Sequence, residues 1–147
     1  KKFNFPEESY VMMGDYLEFS LLEAKKHGFK KIHLCAQWAK MLKIAMATPQ
    51  THVRHGAIDL KKAVEFLRSL QPSALSPRRV ARGDSTKPFN TAMEIFDFIS
   101  SQLATHNSKL FRKVCLAAKK YAEGITEGIP VTANLVSYGG EVIAASE

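Results

Sequence analysis

The stretch IAMATPQTHVRHG, residues 44 to 56, runs from an apolar helix through Pro49 into Thr51, His52, Arg54 and His55. A stop is all that a helix needs there, and Thr48-Pro49 supplies one, because the residue before proline is pushed out of the α region. The hydroxyl, the two imidazoles and the guanidinium beyond it are surplus to that task. His52 and His55 stand three apart and could share one side of a helical turn, but a zinc site wants three or four ligands and this pair alone does not make one. No metal site is therefore predicted. A second candidate is Gly14-Asp15, read as the joint between a strand and a helix. Glycine there lets a ligand approach the free backbone N–H groups. A plain tight turn with an N-cap explains the same two residues, and both readings stay open.

These side chains sit in a chain of 147 residues with 46% apolar content, enough to bury one sizeable core, so a single domain is expected. The net charge of +7, from 21 Lys and Arg against 14 Asp and Glu, points to an anionic partner. Nucleic acid, anionic lipid and a polycarboxylate all qualify. Lys25, Lys26, Lys30 and Lys31 flank His27-Gly28, where cations also favour a helix C-terminus. Cys35 and Cys115, 80 residues apart in apolar segments, read as two small buried core residues with reduced thiols, in a cytoplasmic protein. No apolar run approaches the roughly 20 residues of a membrane span, and Lys1-Lys2-Phe3-Asn4 opens no signal-peptide stretch.

The elements that must position the candidate residues alternate. Ser9 to Met13 reads as a short strand stopped by Gly14. Asp15 can cap a helix from Tyr16 to His27, in which Leu17, Leu21 and Ala24 recur at helical spacing and which Gly28 closes. Residues 30 to 37 have a strand-like centre in Ile32, Leu34 and Ala36, and Trp38 to Ala47 returns to helical spacing. Strand, helix, strand, helix with short joints predicts a right-handed parallel crossover, with the strands at 9–13 and 30–37 parallel and adjacent. The expected fold is α/β, a Rossmann-like three-layer domain with a small, mostly parallel sheet.

Residues 71 to 88 carry three prolines, a glycine and four basic residues and read as a loop or linker. Asn90 to His106 and Lys109 to Ala122 are expected helices capped by Asn90 and Ser108. Ile129 to Tyr138, Gly139-Gly140 and Glu141 to Ala145 read as a hairpin or two sheet strands.

The chain has no GxGxxG, no GxxxxGK[ST], no CxxC and no HExxH. Its ordered motifs point elsewhere. VMMGDYLEFSLLEAKKHGFKKIHLCAQWAKMLKIAMATPQTHVRHGAID, residues 11 to 59, resembles the C-terminal part of the CbiD family, the cobalt-precorrin methyltransferases of anaerobic cobalamin biosynthesis. The likeness runs through Met13-Gly14-Asp15, the aromatic helix from Tyr16 to His27, the strand Lys31 to Ala36, Ala39-Lys40-Met41 and Thr51-His52. FNTAMEIFD, residues 89 to 97, is similar to a later asparagine-threonine helix start, and Ala117 to Ala145 to the family's final helix and strands. Ala36 and Ala39 depart from the glycines usual around the lysine, and the family's N-terminal half has no counterpart here.

The resemblance implies a methyl transfer from S-adenosyl-L-methionine to ring carbon C1 of cobalt-precorrin-5B, with cobalt present only within the substrate. That substrate is a polycarboxylated macrocycle, which needs Arg and Lys clamps with further donors beside them. Lys40, Lys43, Thr51, His52, Arg54 and His55 are of the right types for substrate binding, and Gly14 and Asp15 for the cofactor; the catalytic residues stay unassigned. The expected site is a cleft at the carboxyl edge of the sheet. The rival for His52 is a structural hydrogen bond to a neighbouring loop.

Further expected partners are the absent N-terminal half, whose loss should leave an apolar patch and an inactive chain, and a second copy, since homo-oligomerisation stays open. Neither nucleic acid nor membrane is expected. The alternative is a basic nucleic-acid- or anion-binding module without catalytic activity, acting through SPRRVARG, residues 76 to 83. That segment lacks the interleaved aromatics that stack on bases.

Overall fold

The computed structural model describes residues 4–48, 57–73, 75, 89–101 and 108–147. After a 3-10 turn at Glu7–Ser9, these form α1 (Leu17–Lys26), β1 (Ile32–Ala36), α2 (Trp38–Ala45), α3 (Leu60–Leu70), α4 (Ala92–Ser101), α5 (Ser108–Thr126), β2 (Val131–Val136) and β3 (Val142–Ala145). The class is α/β, as the sequence predicts.

The three strands lie in the order β1-β2-β3. β1 and β2 are parallel, from Ile32 beside Val131 to Ala36 beside Leu135. β2 and β3 are antiparallel, with Asn134 beside Ala145 and a register shift between Leu135 and Val136. The sheet is thus mixed, not mostly parallel. Its hairpin falls where Gly139-Gly140 predicts, with Gly140 at φ +82° and the Ser137 N–H donating to the Glu141 carbonyl at 2.8 Å.

The expected strand at 9–13 is absent. Ser9 ends the 3-10 turn, Tyr10 to Met13 lie outside any ladder, and of Val11, Met12 and Met13 only Met13 packs against the core. The parallel neighbour of β1 is β2, about a hundred residues later in the chain, because Val131, Ala133 and Leu135 offer a fully buried alternate face. The four-element unit predicted over residues 9 to 46 therefore keeps its second strand and both helices but not its first strand.

α2 and α5 touch the sheet and pack against each other, which puts both on one face. α5 fills that face with a single stripe, Leu110, Phe111, Val114, Cys115, Ala118 and Ala122, all buried at three-to-four-residue spacing. From α2, Trp38, Met41, Leu42 and Ala45 meet it. The Trp38 ring stands edge-on to Phe111 with centroids 5.3 Å apart, and its Nε1 donates to the Ala92 carbonyl at 2.7 Å, which fixes the start of α4. The opposite sheet face carries His33, Cys35, Thr132 and Asn134. There the Phe5 ring lies 5.5 Å from His33, and the Asn134 side-chain amide donates to the Thr132 carbonyl at 3.2 Å. Cys35, expected to be buried, is exposed, because the alternation that buries Leu34 and Ala36 turns it outward.

Helix ends also differ from the sequence reading. α1 is capped at Tyr16, not Asp15, and Tyr16 makes no side-chain cap bond. α4 starts after Thr91, not Asn90: the Thr91 hydroxyl accepts from the Glu94 N–H at 3.1 Å, while the Glu94 carboxylate reaches back to the Asn90 N–H at 2.8 Å. α5 runs one turn further than expected, to Thr126. α3 lies in a stretch given no element above; its cap is Asp59, whose carboxylate accepts from the N–H groups of Lys61 and Lys62 at 3.0 and 3.1 Å.

α2 stops before Pro49 can act. The Thr48 N–H donates to the Lys43 carbonyl and the Ala47 N–H to that of Ile44, with Ala47 left-handed at φ +55°. That is a Schellman ending, the same device that Gly28 supplies to α1 at φ +71° through Phe29 N–H to Ala24 and Gly28 N–H to Lys25. At the start of the expected linker Leu75 is buried, and its carbonyl accepts from Arg68 Nε at 2.9 Å. Residues 76–88 lie outside the described residues. No helix among the described residues is long and apolar enough to cross a membrane.

Candidate functional site

The carboxyl ends of a parallel strand pair are where an open α/β sheet usually binds ligands. Here that edge is built from Ala36 and Leu135 in register, followed on the first strand by Gln37, the N-cap of α2. The Gln37 carbonyl accepts from the Met41 N–H at 2.8 Å, and its backbone is extended at φ −72° and ψ 164°. The Gln37 side chain makes no cap bond, so it leaves the first-turn N–H groups of α2 to other partners. Helix N-termini of this kind favour anions.

Lys40 belongs to that first turn. Its Nζ donates to the Gly14 carbonyl at 2.8 Å. This one bond brings the expected cofactor residue Gly14 beside an expected substrate residue, although they lie 26 positions apart. Gly14 has φ +56°, in a turn where the Tyr16 N–H donates to the Met13 carbonyl at 3.0 Å. A Cβ built on Gly14 would meet nothing within 4 Å, so the backbone there borders open space. The positive φ is what requires glycine. The strand expected before it is absent, and Asp15 follows it in the same turn.

Lys43, one turn further along α2, is only 5% exposed. An ammonium at that depth persists only when engaged, and Lys43 has a partner. Thr51, His52, Arg54 and His55 lie outside the described residues. The structure thus brings together Gly14, Asp15 and Lys40, with Lys43 one turn beyond. Gln37 is a residue the sequence reading missed; a polar residue between a strand and a helix was its only signal.

The chemistry on offer at this edge is binding and positioning. The perturbed titrations sit elsewhere. Burial pushes the Cys115 thiol up to about 11 in the core. Burial, aided by the Glu18 charge, raises the Tyr121 phenol. The bond from Lys25, at 2.6 Å, holds the exposed Glu127 carboxyl below its usual range just before the amino end of β2. Among the described residues no group of three or more His, Cys, Asp or Glu side chains could hold a metal ion.

Comparison with known proteins gives relatives along almost the whole chain. A protein of Desulfotalea psychrophila named cobalt-precorrin-5B C(1)-methyltransferase is 39% identical over 95% of this chain and 36% of its own length. Proteins of the same name from Geobacter metallireducens and Priestia megaterium are 31% and 30% identical, each over 94% of this chain and 34% and 35% of their own lengths. The chain spans about a third of the length of the curated relatives it matches. No family model matches it, and no solved structure does. By sequence, then, the chain is similar along almost its whole length to about one third of proteins named cobalt-precorrin-5B C(1)-methyltransferase.

Proposed function

We propose that the chain is the C-terminal, Rossmann-like part of a cytoplasmic methyltransferase that methylates C1 of cobalt-precorrin-5B in anaerobic cobalamin biosynthesis, with S-adenosyl-L-methionine as methyl donor. The observation that carries the reading is identity of 39% over 95% of the chain to a relative of that name. When bound, the donor supplies an electrophilic sulfonium methyl group. Transfer to an already nucleophilic ring carbon asks mainly for in-line placement. An edge that offers donors and open space and, among the described residues, no paired acid and base suits that demand.

Gly14 and Asp15 would hold the methyl donor, where the open side of Gly14 leaves the backbone accessible. Lys40, with Thr51, His52, Arg54 and His55, binds the carboxylates of the substrate, while Lys43 is buried and already engaged. Each charge-assisted bond is worth about 1.5 to 3 kcal/mol, so Arg54→Ala or His52→Ala in a full-length protein should weaken corrinoid binding roughly tenfold or more. Unchanged affinity with lost thermal stability would make the two residues structural instead.

Because the chain corresponds to a third of its relatives, it holds only a share of the site. The test is a methylation assay with S-adenosyl-L-methionine and cobalt-precorrin-5B, using the chain alone and the chain with the complementary two thirds of a family protein. Product is expected only from the combination, and turnover by the chain alone would refute the division of the site. Titration with S-adenosyl-L-methionine, a carboxylated corrinoid and an oligonucleotide separates the enzyme from a basic binding module. Salt-sensitive oligonucleotide binding with no response to the other two would overturn the enzyme reading.

A further inference from the structure

Eight of the eleven exposed large apolar side chains among the described residues fall between Phe5 and Phe29. Five of them lie close together in sequence around the start of α1. Tyr16, Phe19 and Leu22 follow one another at three-residue spacing along the outer side of α1, and are 62%, 63% and 45% exposed. Val11 and Met12, at 77% and 100%, lie just before the turn that leads into the helix. The other side of α1 is already satisfied, since Leu17 and Leu21 are buried and the helix packs on α5. Outward, α1 therefore carries apolar side chains that the fold leaves uncovered, interleaved with Glu23 and Lys26. Scattered single apolar residues on a surface are ordinary, but a stripe of this kind marks an interface.

We infer that the outer face of α1, with Val11 and Met12, is the docking surface for the polypeptide that family members carry beyond the third matched here. The inference rests on the family reading above and adds the place where the two parts meet. Each relative holds nearly twice the matched length outside the match, so a family member must join this domain to a larger body. Interfaces between domains of one chain bury about 600 to 1,500 Å2. Three exposed residues on one helix face and two beside its N-terminus are an apolar centre for such a contact. Glu18, Glu23, Lys25 and Lys26 on the same helix add charges of both signs.

The test mixes the chain with the complementary two thirds of the Desulfotalea psychrophila relative and reads the assembly by sedimentation velocity. A one-to-one complex is expected. Phe19→Glu with Leu22→Glu should weaken it at least 100-fold while leaving the chain's own thermal midpoint unchanged, because both positions are exposed. Tyr138→Glu, exposed at the hairpin turn, should have no effect on it. The inference is overturned if no complex forms, if the double variant binds as well as the unaltered chain, or if the unaltered chain pairs with itself through this face. Assembly is read without methyl donor or corrinoid, so a complex that forms but methylates nothing would refute the proposed function and leave the docking surface standing.

Discussion

The Lys40 ammonium donates to the Gly14 carbonyl across 2.8 Å, and so ties the first turn of α2 to the turn before α1. The bond fixes a glycine of positive φ beside the N-terminus of the helix that follows β1, at the edge where the two parallel strands end. A lysine used this way serves the fold with one of its three N–H groups and keeps two for a ligand.

Lys40→Met keeps the aliphatic stem and removes the ammonium. A hydrogen bond in a partly exposed place contributes about 0.5 to 1.5 kcal/mol, so the urea midpoint should fall by a corresponding amount. Binding of a carboxylated corrinoid by the reassembled protein should weaken about tenfold. A stability loss with unaltered affinity would confine Lys40 to the structural bond.

Ala47 is a non-glycine residue in the left-handed region, exposed, at the position where α1 uses Gly28 for the same ending. The left-handed conformation costs an L-residue roughly 1 to 2 kcal/mol, part of which glycine gives back through its freer unfolded chain. Ala47→Gly should therefore stabilise the domain by about 0.5 to 1 kcal/mol, measured as a higher urea midpoint. A destabilised variant would mean that the Schellman ending does not form in solution.

The two helix ends explain what could be read from the sequence. Gly28 announced its ending because glycine is the usual left-handed residue; Ala47 did not, and Pro49 drew the attention instead. β1 was legible from Ile32, Leu34 and Ala36, but its partner was not, since no local signal ties Ile32 to Val131. Ser9 to Met13, nearer and apolar, took its place in the reading. α3 passed unseen although Asp59 precedes an apolar period at Leu60, Ala63, Val64 and Leu67. At the site, the residue types of Gly14 and Lys40 pointed to binding. Their contact depends on tertiary packing that residue type does not encode.

The two thiols should react very differently. Cys35 is exposed on β1, while Cys115 is buried, with its Sγ 3.7 Å from the Ala144 carbonyl and its pKa pushed up to about 11. The thiolate is the reactive form. At pH 8 a disulfide reagent should modify one equivalent per chain at once and the second only on unfolding; Cys35→Ser should abolish the fast equivalent. Two fast equivalents would show that the core opens around α5.

His33 gives the domain a pH dependence of known sign. Burial, and then the nearby Lys31 charge, lower its pKa below the ordinary 6.5, with Glu147 opposing in part. Protonation is thus harder in the folded state than in the unfolded chain. Above about pH 6.5 both states are neutral and the stability is fully present; as pH falls below that value the unfolded chain takes up the proton first, and stability is lost down to the folded pKa. The carboxylate with a lowered pKa, Glu127, starts from 4.5 and acts in a more acid range, so the two effects separate. The urea midpoint should decline between pH 7 and pH 5, and His33→Phe, which keeps a ring beside Phe5, should flatten that decline. An unchanged slope in the variant would assign the loss to other groups.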